Sequence, residues 1–165
     1  MQDISAFGTE ITVVATKSYP LGFKLTKFAD DEDPIKVEEV EPNGFVMLYD
    51  GSLFAYSKAA PIVLTVFLIP GSEDDINCKL LLQASKGSAS IIPVPDVTSM
   101  VISYPGGGRI VLSNGTIIKG MLADSVNQTG RFKGNPYTFA FGSFAGAQNT
   151  RELVGGIINA IAGLF

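Results

Sequence analysis

An almost wholly apolar run bracketed by two prolines limits the possible folds of this chain more than any other feature. The run spans residues 61–70 and consists mainly of β-branched, aromatic and aliphatic residues. It is too short to cross a bilayer as a helix, which needs about 20 apolar residues. A proline at each end also opposes a helix that continues through the segment. The run therefore predicts a buried β-strand.

Much of the remaining chain alternates apolar and polar residues, which is typical of half-buried strands. This alternation predicts strands at residues 10–16, 21–28, 35–41 and 98–104. Runs of strand-forming residues beside turn signals predict further strands at 45–49, 109–113, 116–122 and 135–141. The Asn114-Gly115 dipeptide between two of these runs predicts a two-residue type I′ hairpin turn. The expected fold class is mainly β: an antiparallel β-sandwich or barrel with one packed α-helix and a C-terminal amphipathic helix.

The packed helix is predicted at about residues 72–86. Ser72 is placed to cap the backbone N–H of Asp75, and three consecutive carboxylates lie in the first turn, where the helix dipole favours negative charge. Apolar residues follow at helical spacing, and Gly87 supplies a stop. The order of the predicted elements divides the chain into three parts: a β-barrel domain at 1–142, a flexible linker at 143–148 and a helical docking extension at 149–165.

The extension at 149–165 combines an apolar stripe with an opposite side that is almost uncharged. We considered burial against the chain's own barrel, burial against a neighbouring subunit and contact with a membrane. A membrane-surface helix normally carries several Lys or Arg residues, and this segment holds only Arg151. The candidate subunit-interface residues are Leu153, Val154, Ile157, Ile158, Ile161, Leu164 and Phe165.

The composition excludes several kinds of chemistry. The 165 residues include no His and a single Cys, so Ser-His and Cys-His nucleophiles and His- or Cys-cluster metal sites are absent. The acidic run at 30–33 lacks the spacing of an EF-hand, and the glycine-rich segment at 105–109 leads into a strand rather than a helix. We predict no catalytic residue, no metal, no cofactor and no enzymatic activity.

Charge is distributed unevenly along the chain. Residues 1–50 hold ten carboxylates and four Lys, whereas residues 51–165 hold six carboxylates and eight Lys or Arg. Acidic loops that solvate the domain are one explanation, and an acidic face suited to head-to-tail self-association is another. No cluster of Lys or Arg favours specific nucleic-acid binding. The first residues lack a signal peptide pattern, so synthesis in a cytoplasm is expected.

Four segments, taken with the order of the predicted elements, resemble small structural proteins of contractile bacteriophage tails. They are Ala6–Val14, Phe28–Pro34, Ile69–Asp75 and Tyr137–Phe141. The resemblance covers roughly residues 4–142. Within these proteins, the chain resembles the tail tube group and its relatives, which include the secreted tube protein of type VI systems. Because its motifs are turns and caps, it concerns architecture rather than chemistry.

The resemblance implies a subunit of which six copies join their sheets into a ring of the inner tail tube, inside a phage virion. It implies partners among neighbouring rings, sheath and baseplate proteins, and DNA that passes through without specific binding. Candidate inter-ring loops contain Asp30, Asp31, Glu32, Asp33, Gly106, Gly107, Gly108 and Arg109. The extension at 149–165 is not part of a minimal tube subunit, which leaves a ring adaptor to the baseplate or sheath as an alternative. A ligand- or glycan-binding β-sandwich is a more distant alternative.

Overall fold

A computed structural model describes residues 8–86, 96–105, 108–147 and 163 of the chain. Its described part consists of nine strands and one helix. In chain order they are β1 (Glu10–Ala15), β2 (Tyr19–Leu25), β3 (Ile35–Val37), β4 (Asn43–Met47), β5 (Leu53–Ser57), β6 (Ile62–Leu68), α1 (Glu73–Ser85), β7 (Thr98–Ser103), β8 (Arg109–Lys119) and β9 (Asn135–Ala147). The mainly β fold class predicted from the sequence is confirmed.

Seven strands form one curled antiparallel sheet in the order β2-β1-β7-β8-β9-β6-β3. Strands β4 and β5 form a separate two-stranded hairpin, which leaves the large sheet after β3 and returns to it at β6. The run bracketed by prolines is strand β6, as predicted, and it pairs with β9 on one side and β3 on the other. Strands β2 and β3 therefore occupy the two edges of the large sheet.

The hydrophobic core lies on one face of this sheet, because alternate residues of each central strand point to the same side. In β6 the fully buried residues are Leu64, Val66 and Leu68, and in β9 they are Tyr137, Phe139 and Phe141. The rings of Phe139 and Phe141 stack with their centroids 6.3 Å apart. Helix α1 covers part of the core, where Cys78 and Leu81 are buried among these residues.

The ends of α1 lie within one residue of the predicted helix. The Ser72 hydroxyl accepts a hydrogen bond from the backbone N–H of Asp75 at 3.2 Å, which confirms the predicted cap. The packing face differs from a simple apolar stripe, however, because Ile76 and Leu80 are half exposed. The first turn instead buries Asp74 and Asp75, whose carboxylates find hydrogen-bond donors in the sheet and its loops.

The predicted hairpin turn at Asn114-Gly115 is wrong, since both residues lie inside the single strand β8. Asn114 adopts φ +54°, but Gly115 does not have a positive φ, and a type I′ turn requires it at both residues. In the pairing of β7 with β8, Met100 lies opposite Leu112 and Thr98 lies opposite Gly115. One residue of β7 but two residues of β8 separate these pairs, so the dipeptide forms a β-bulge. Pairing with β9 continues through this region and keeps the strand extended.

Two further sequence boundaries change. Strand β9 continues to Ala147 and pairs with the beginning of β8, so residues 143–147 are not the flexible linker that their small side chains suggested. Backbone hydrogen bonds to β8 hold these residues in the sheet, although their small side chains did not indicate a strand. The predicted strand at 35–41 contributes only Ile35–Val37 to the sheet. The predicted helix at 149–165 lies outside the described residues.

Candidate assembly surface

The predicted acidic loop is an ordered part of the surface. Asp30 forms an ion pair with Arg131, and an Asp31 carboxylate oxygen accepts a hydrogen bond from the backbone N–H of Gly134 at 3.1 Å. Glu32 and Asp33 are exposed. The basic stretch that precedes β9 therefore holds the acidic loop beside the beginning of that strand.

The second predicted loop lies at the other end of the same strand. Gly106 and Gly107 are outside the described residues, but Arg109 begins β8 opposite Ala147, the last residue of β9. Gly108 is buried, and its carbonyl accepts a hydrogen bond from the backbone N–H of Tyr104 at 2.9 Å. The structure thus does not bring the two candidate loops together but separates them by the length of β9, about 40 Å for a fully extended strand.

The seven apolar residues proposed as a subunit interface lie outside the described residues. They are Leu153, Val154, Ile157, Ile158, Ile161, Leu164 and Phe165. Their role stays a prediction from the sequence.

The structure shows a different apolar surface on the hairpin formed by β4 and β5. Every residue of β5 is exposed, and the ring of Phe45 in β4 is 72% accessible. Large apolar side chains occupy both faces of this hairpin. The exposed set is Phe45, Val46, Met47, Leu48, Tyr49, Leu53, Phe54 and Tyr56. A contiguous apolar surface of this kind is typical of an interaction site.

The edges of the large sheet also offer surface for association. Among the residues that the structure describes, strand β2 has a neighbour on one side only, and its Leu21 is 99% exposed. Strand β3 at the opposite edge is three residues long and is followed by the exposed acidic residues Glu38 and Glu39. Edge strands with free backbone groups are natural places for a second chain to bind unless their sequence prevents it.

A buried polar cluster connects α1 to the sheet. A side-chain oxygen of Asp75 accepts hydrogen bonds from the Tyr137 hydroxyl at 2.6 Å and from the Asn135 amide at 2.9 Å. The Lys79 ammonium lies 3.1 Å from the other oxygen of Asp75 and 2.6 Å from Asp124. Burial and the hydrogen bond to Asp75 raise the pKa of Tyr137 well above its usual range. The phenol therefore stays protonated and acts as a donor to the carboxylate.

The other titratable groups around α1 have similar structural explanations. Burial raises the pKa of the Cys78 thiol far above its usual range, and the nearby carboxylates of Asp74 and Asp75 add to the effect. A protonated, fully buried thiol is a poor nucleophile. Hydrogen bonds from Lys79 and Asn135 lower the pKa of Asp124. This chemistry fastens a helix to a sheet and does not prepare a group for catalysis.

A second carboxylate fastens the turn between β1 and β2. Asp96 accepts hydrogen bonds from the backbone N–H groups of Lys17 and Ser18, both at 2.9 Å, and from the Thr16 hydroxyl at 3.1 Å. Burial alone would raise the pKa of Asp96, but these hydrogen bonds outweigh it and lower the pKa. The turn beside the β2 edge is therefore held in place from the beginning of β7.

Within residues 8–86, 96–105 and 108–147, no group of three or more His, Cys, Asp or Glu side chains is arranged to hold a metal ion. No helix in the same ranges is long and apolar enough to span a membrane. Sequence reasoning predicted the first strand of the exposed hairpin at 45–49 but missed the second strand, β5, which lacks polar alternation. The signal that could have found it is the Asp50-Gly51 turn, where Asp50 accepts a hydrogen bond from the backbone N–H of Ser52 at 2.9 Å.

Comparison with known proteins gives one family and several similar folds. The model of the family described as tail fiber protein gp32 matches residues 2–145. A direct comparison with curated proteins gives no match. Among solved structures, the tube-terminating cap of the anti-feeding prophage is 8% identical with a TM-score of 0.55, over 90% of this chain and 93% of that chain.

Two further structures have TM-scores of 0.50. The sheath/tube terminator of the PVC extracellular contractile injection system is 12% identical over 89% of this chain and 98% of that chain. A chain of the anti-feeding prophage baseplate is 8% identical over 90% of this chain and 97% of that chain. At such low identity the likeness is one of fold.

Proposed function

The chain belongs to the tail fiber protein gp32 family, and from this membership we propose that it is a structural subunit of a contractile bacteriophage tail that closes into a ring of the inner tail tube. The observation that carries the proposal is the curled sheet, in which β2 and β3 are the two edge strands of the described part of the chain. Two different edges that meet between copies make a head-to-tail contact, and such contacts generate rings when the rotation closes. A hexamer is the ring size that the sequence resemblance implies.

The position of the two candidate loops supports stacking of such rings. The acidic loop at 30–33 lies beside the beginning of β9, and the segment at 108–109 lies at the end of that strand. Loops at opposite ends of the same strand can contact a ring above and a ring below. In this proposal the partners of the chain are its own copies, neighbouring tail rings, and sheath or baseplate proteins.

The charge distribution supports a tube that carries DNA without binding it. The first 50 residues have a formal excess of six negative charges, and such an acidic chain offers phosphates little attraction. We therefore propose that DNA is a passing cargo with no specific site, and that the chain works within the virion, after synthesis in the host cytoplasm, without a cofactor or enzymatic activity.

A second candidate function is a ring that joins the tail tube to the baseplate or sheath. The observation that favours it is the apolar segment 149–165, which provides an anchor beyond the β-domain. The fold that the chain shares with a tube-terminating cap, a sheath/tube terminator and a baseplate chain is compatible with such a position.

Negative-stain electron microscopy of the purified chain over a range of concentrations tests the ring. We expect annular particles with a central hole, and stacks of them at high concentration. A strict monomer at high concentration that binds immobilised glycans would overturn the proposal in favour of a glycan-binding β-sandwich.

A further inference from the structure

We propose that the β4–β5 hairpin is an arm that docks against the β1–β2 edge of a second copy of this chain. The inference rests on the proposed ring and names the element that links its subunits. It starts from the exposure of the hairpin, whose eight large apolar side chains are 48% exposed or more. A two-stranded hairpin is at best marginally stable alone in water.

Both faces of the arm are apolar. Val46 lies directly opposite Phe54, so these two side chains share one face. Met47 lies opposite Leu53 and shares the other face with Phe45, which is two residues away along β4. A hairpin that packed one face on its own domain would normally carry polar residues on its outer face. The pattern of this hairpin instead fits an arm enclosed by another surface.

Charge identifies the surface that fits it. Residues 37–57, which contain the arm and the connection that leads into it, carry four carboxylates, of which Glu41 pairs with Lys58 just beyond this range. Residues 10–27, which contain β1 and β2, carry three Lys and one Glu. The Lys17 and Lys27 side chains are exposed two residues before and two residues after β2, and Leu21 between them is an exposed apolar side chain. The two surfaces are thus complementary in charge, which favours association between copies and fixes its direction.

The strand order places these two surfaces at opposite edges of the large sheet. The arm leaves the large sheet at β3, which is one edge, and β2 is the other. An arm that binds the β2 edge of the next copy leaves its own β2 edge available for the previous copy. The contact is therefore head-to-tail and can close a ring. Pro20 in β2 cannot donate a ladder hydrogen bond, so we infer that side chains carry the contact rather than a continuous ladder.

A charge exchange tests the partner surface. Glu38→Lys with Glu39→Lys on the arm side, or Lys17→Glu with Lys27→Glu on the edge side, places like charges opposite each other. Each pair of substitutions is expected to raise the concentration needed for half-maximal assembly by about tenfold in low salt. The chain with all four substitutions is expected to assemble within about threefold of the original chain, because the attraction is restored in reverse.

Sedimentation velocity measures the assembly, and thermal unfolding of each variant verifies that it is folded. Lys86→Glu with Lys119→Glu is the matched control for the edge-side pair, since it changes the net charge by the same amount at exposed positions outside both surfaces. Phe45→Ser with Phe54→Ser tests the apolar part and is expected to weaken assembly by about a hundredfold or more.

The possible outcomes separate this inference from the proposed function. Rings that form equally well with Phe45→Ser and Phe54→Ser would overturn the arm while leaving the ring intact. Weakened assembly that the four-site variant does not restore would overturn the β1–β2 edge as the docking surface. An unaltered chain that stays monomeric at every concentration would overturn the proposed ring, and the arm's occupant would then be a different protein.

Discussion

Substitution of Tyr137 by Phe removes one oxygen from the centre of the structure and tests how α1 is held to the sheet. The side chain of Tyr137 is fully buried, and its hydroxyl lies 2.6 Å from an Asp75 oxygen. The carbonyl oxygens of Met121 and Asp75 are more distant, at 3.3 and 3.5 Å. Because a phenol has one proton to donate, the short contact to the carboxylate is the hydrogen bond that the substitution deletes.

The magnitude follows from the charge and burial of the acceptor. A hydrogen bond to a charged group contributes about 1.5–3 kcal/mol, and removal of one partner leaves the other without compensation in a region that water does not reach. Asp75 retains the Asn135 amide at 2.9 Å and the Lys79 ammonium at 3.1 Å, so the carboxylate is not left without partners. We therefore expect Tyr137→Phe to lower the free energy of unfolding by about 2 kcal/mol, or the midpoint temperature by about 4–8 °C.

Equilibrium unfolding in urea, followed by circular dichroism, measures this loss. The dependence on urea should keep its slope, because the substitution leaves the fold and the surface exposed on unfolding unchanged. Tyr49→Phe is the matched control, since Tyr49 is fully exposed and should lose less than about 0.5 kcal/mol. A Tyr137→Phe variant as stable as the Tyr49→Phe control would refute the view that this hydrogen bond holds α1 in place.

Three further perturbations test separate parts of the structure. Asp96→Asn should cost about 2 kcal/mol in urea unfolding, because it replaces an acceptor of three hydrogen bonds. Because the pKa of Asp96 is lowered in the folded state, its contribution to the free energy of unfolding is present above the unfolded pKa of about 3.9 and is lost as the pH falls through the folded pKa. The Asp96→Asn variant should therefore lose less stability than the original chain on acidification. Gly115→Ala should lower the free energy of unfolding by about 2 kcal/mol, since the added Cβ would lie 2.2 Å from a ring carbon of Phe141. Gly142→Ala is the control and should be near neutral in the same assay, because the nearest atom to its Cβ would be 3.6 Å away. Deletion of residues 149–165 should leave a cooperatively folded chain that assembles poorly in sedimentation, and global unfolding of the shortened chain would instead indicate that this segment packs on its own barrel.

Local sequence signals predicted those elements whose partners are close in the chain. Ser72 caps α1 because the N–H that it accepts belongs to a residue three positions later. The apolar run between Pro61 and Pro70 predicted β6 because the side chains on both faces of this strand are buried or half-buried. Composition and spacing are sufficient where the physical cause lies within a few residues.

The failures have their causes in residues distant along the chain. Asn114-Gly115 has the sequence of a hairpin turn, but pairing with β9, almost 30 residues later, keeps the segment inside one strand. The burial of Asp74 could not be predicted because its hydrogen-bond donors, the backbone N–H groups of Thr26 and Lys27, lie 48 and 47 residues away. The second strand of the exposed arm, β5, was not predicted because its apolar residues lie on both faces, contrary to the alternation that identifies a strand.

The size of the particle formed by the purified chain tests the central claim most directly. Native mass spectrometry of the full chain, at concentrations that span the assembly measured by sedimentation, gives the number of copies without assumptions about shape. A closed ring predicts a dominant species at six times the chain mass of 17.4 kDa, with few intermediates. A single species at 17.4 kDa at every concentration would contradict the account.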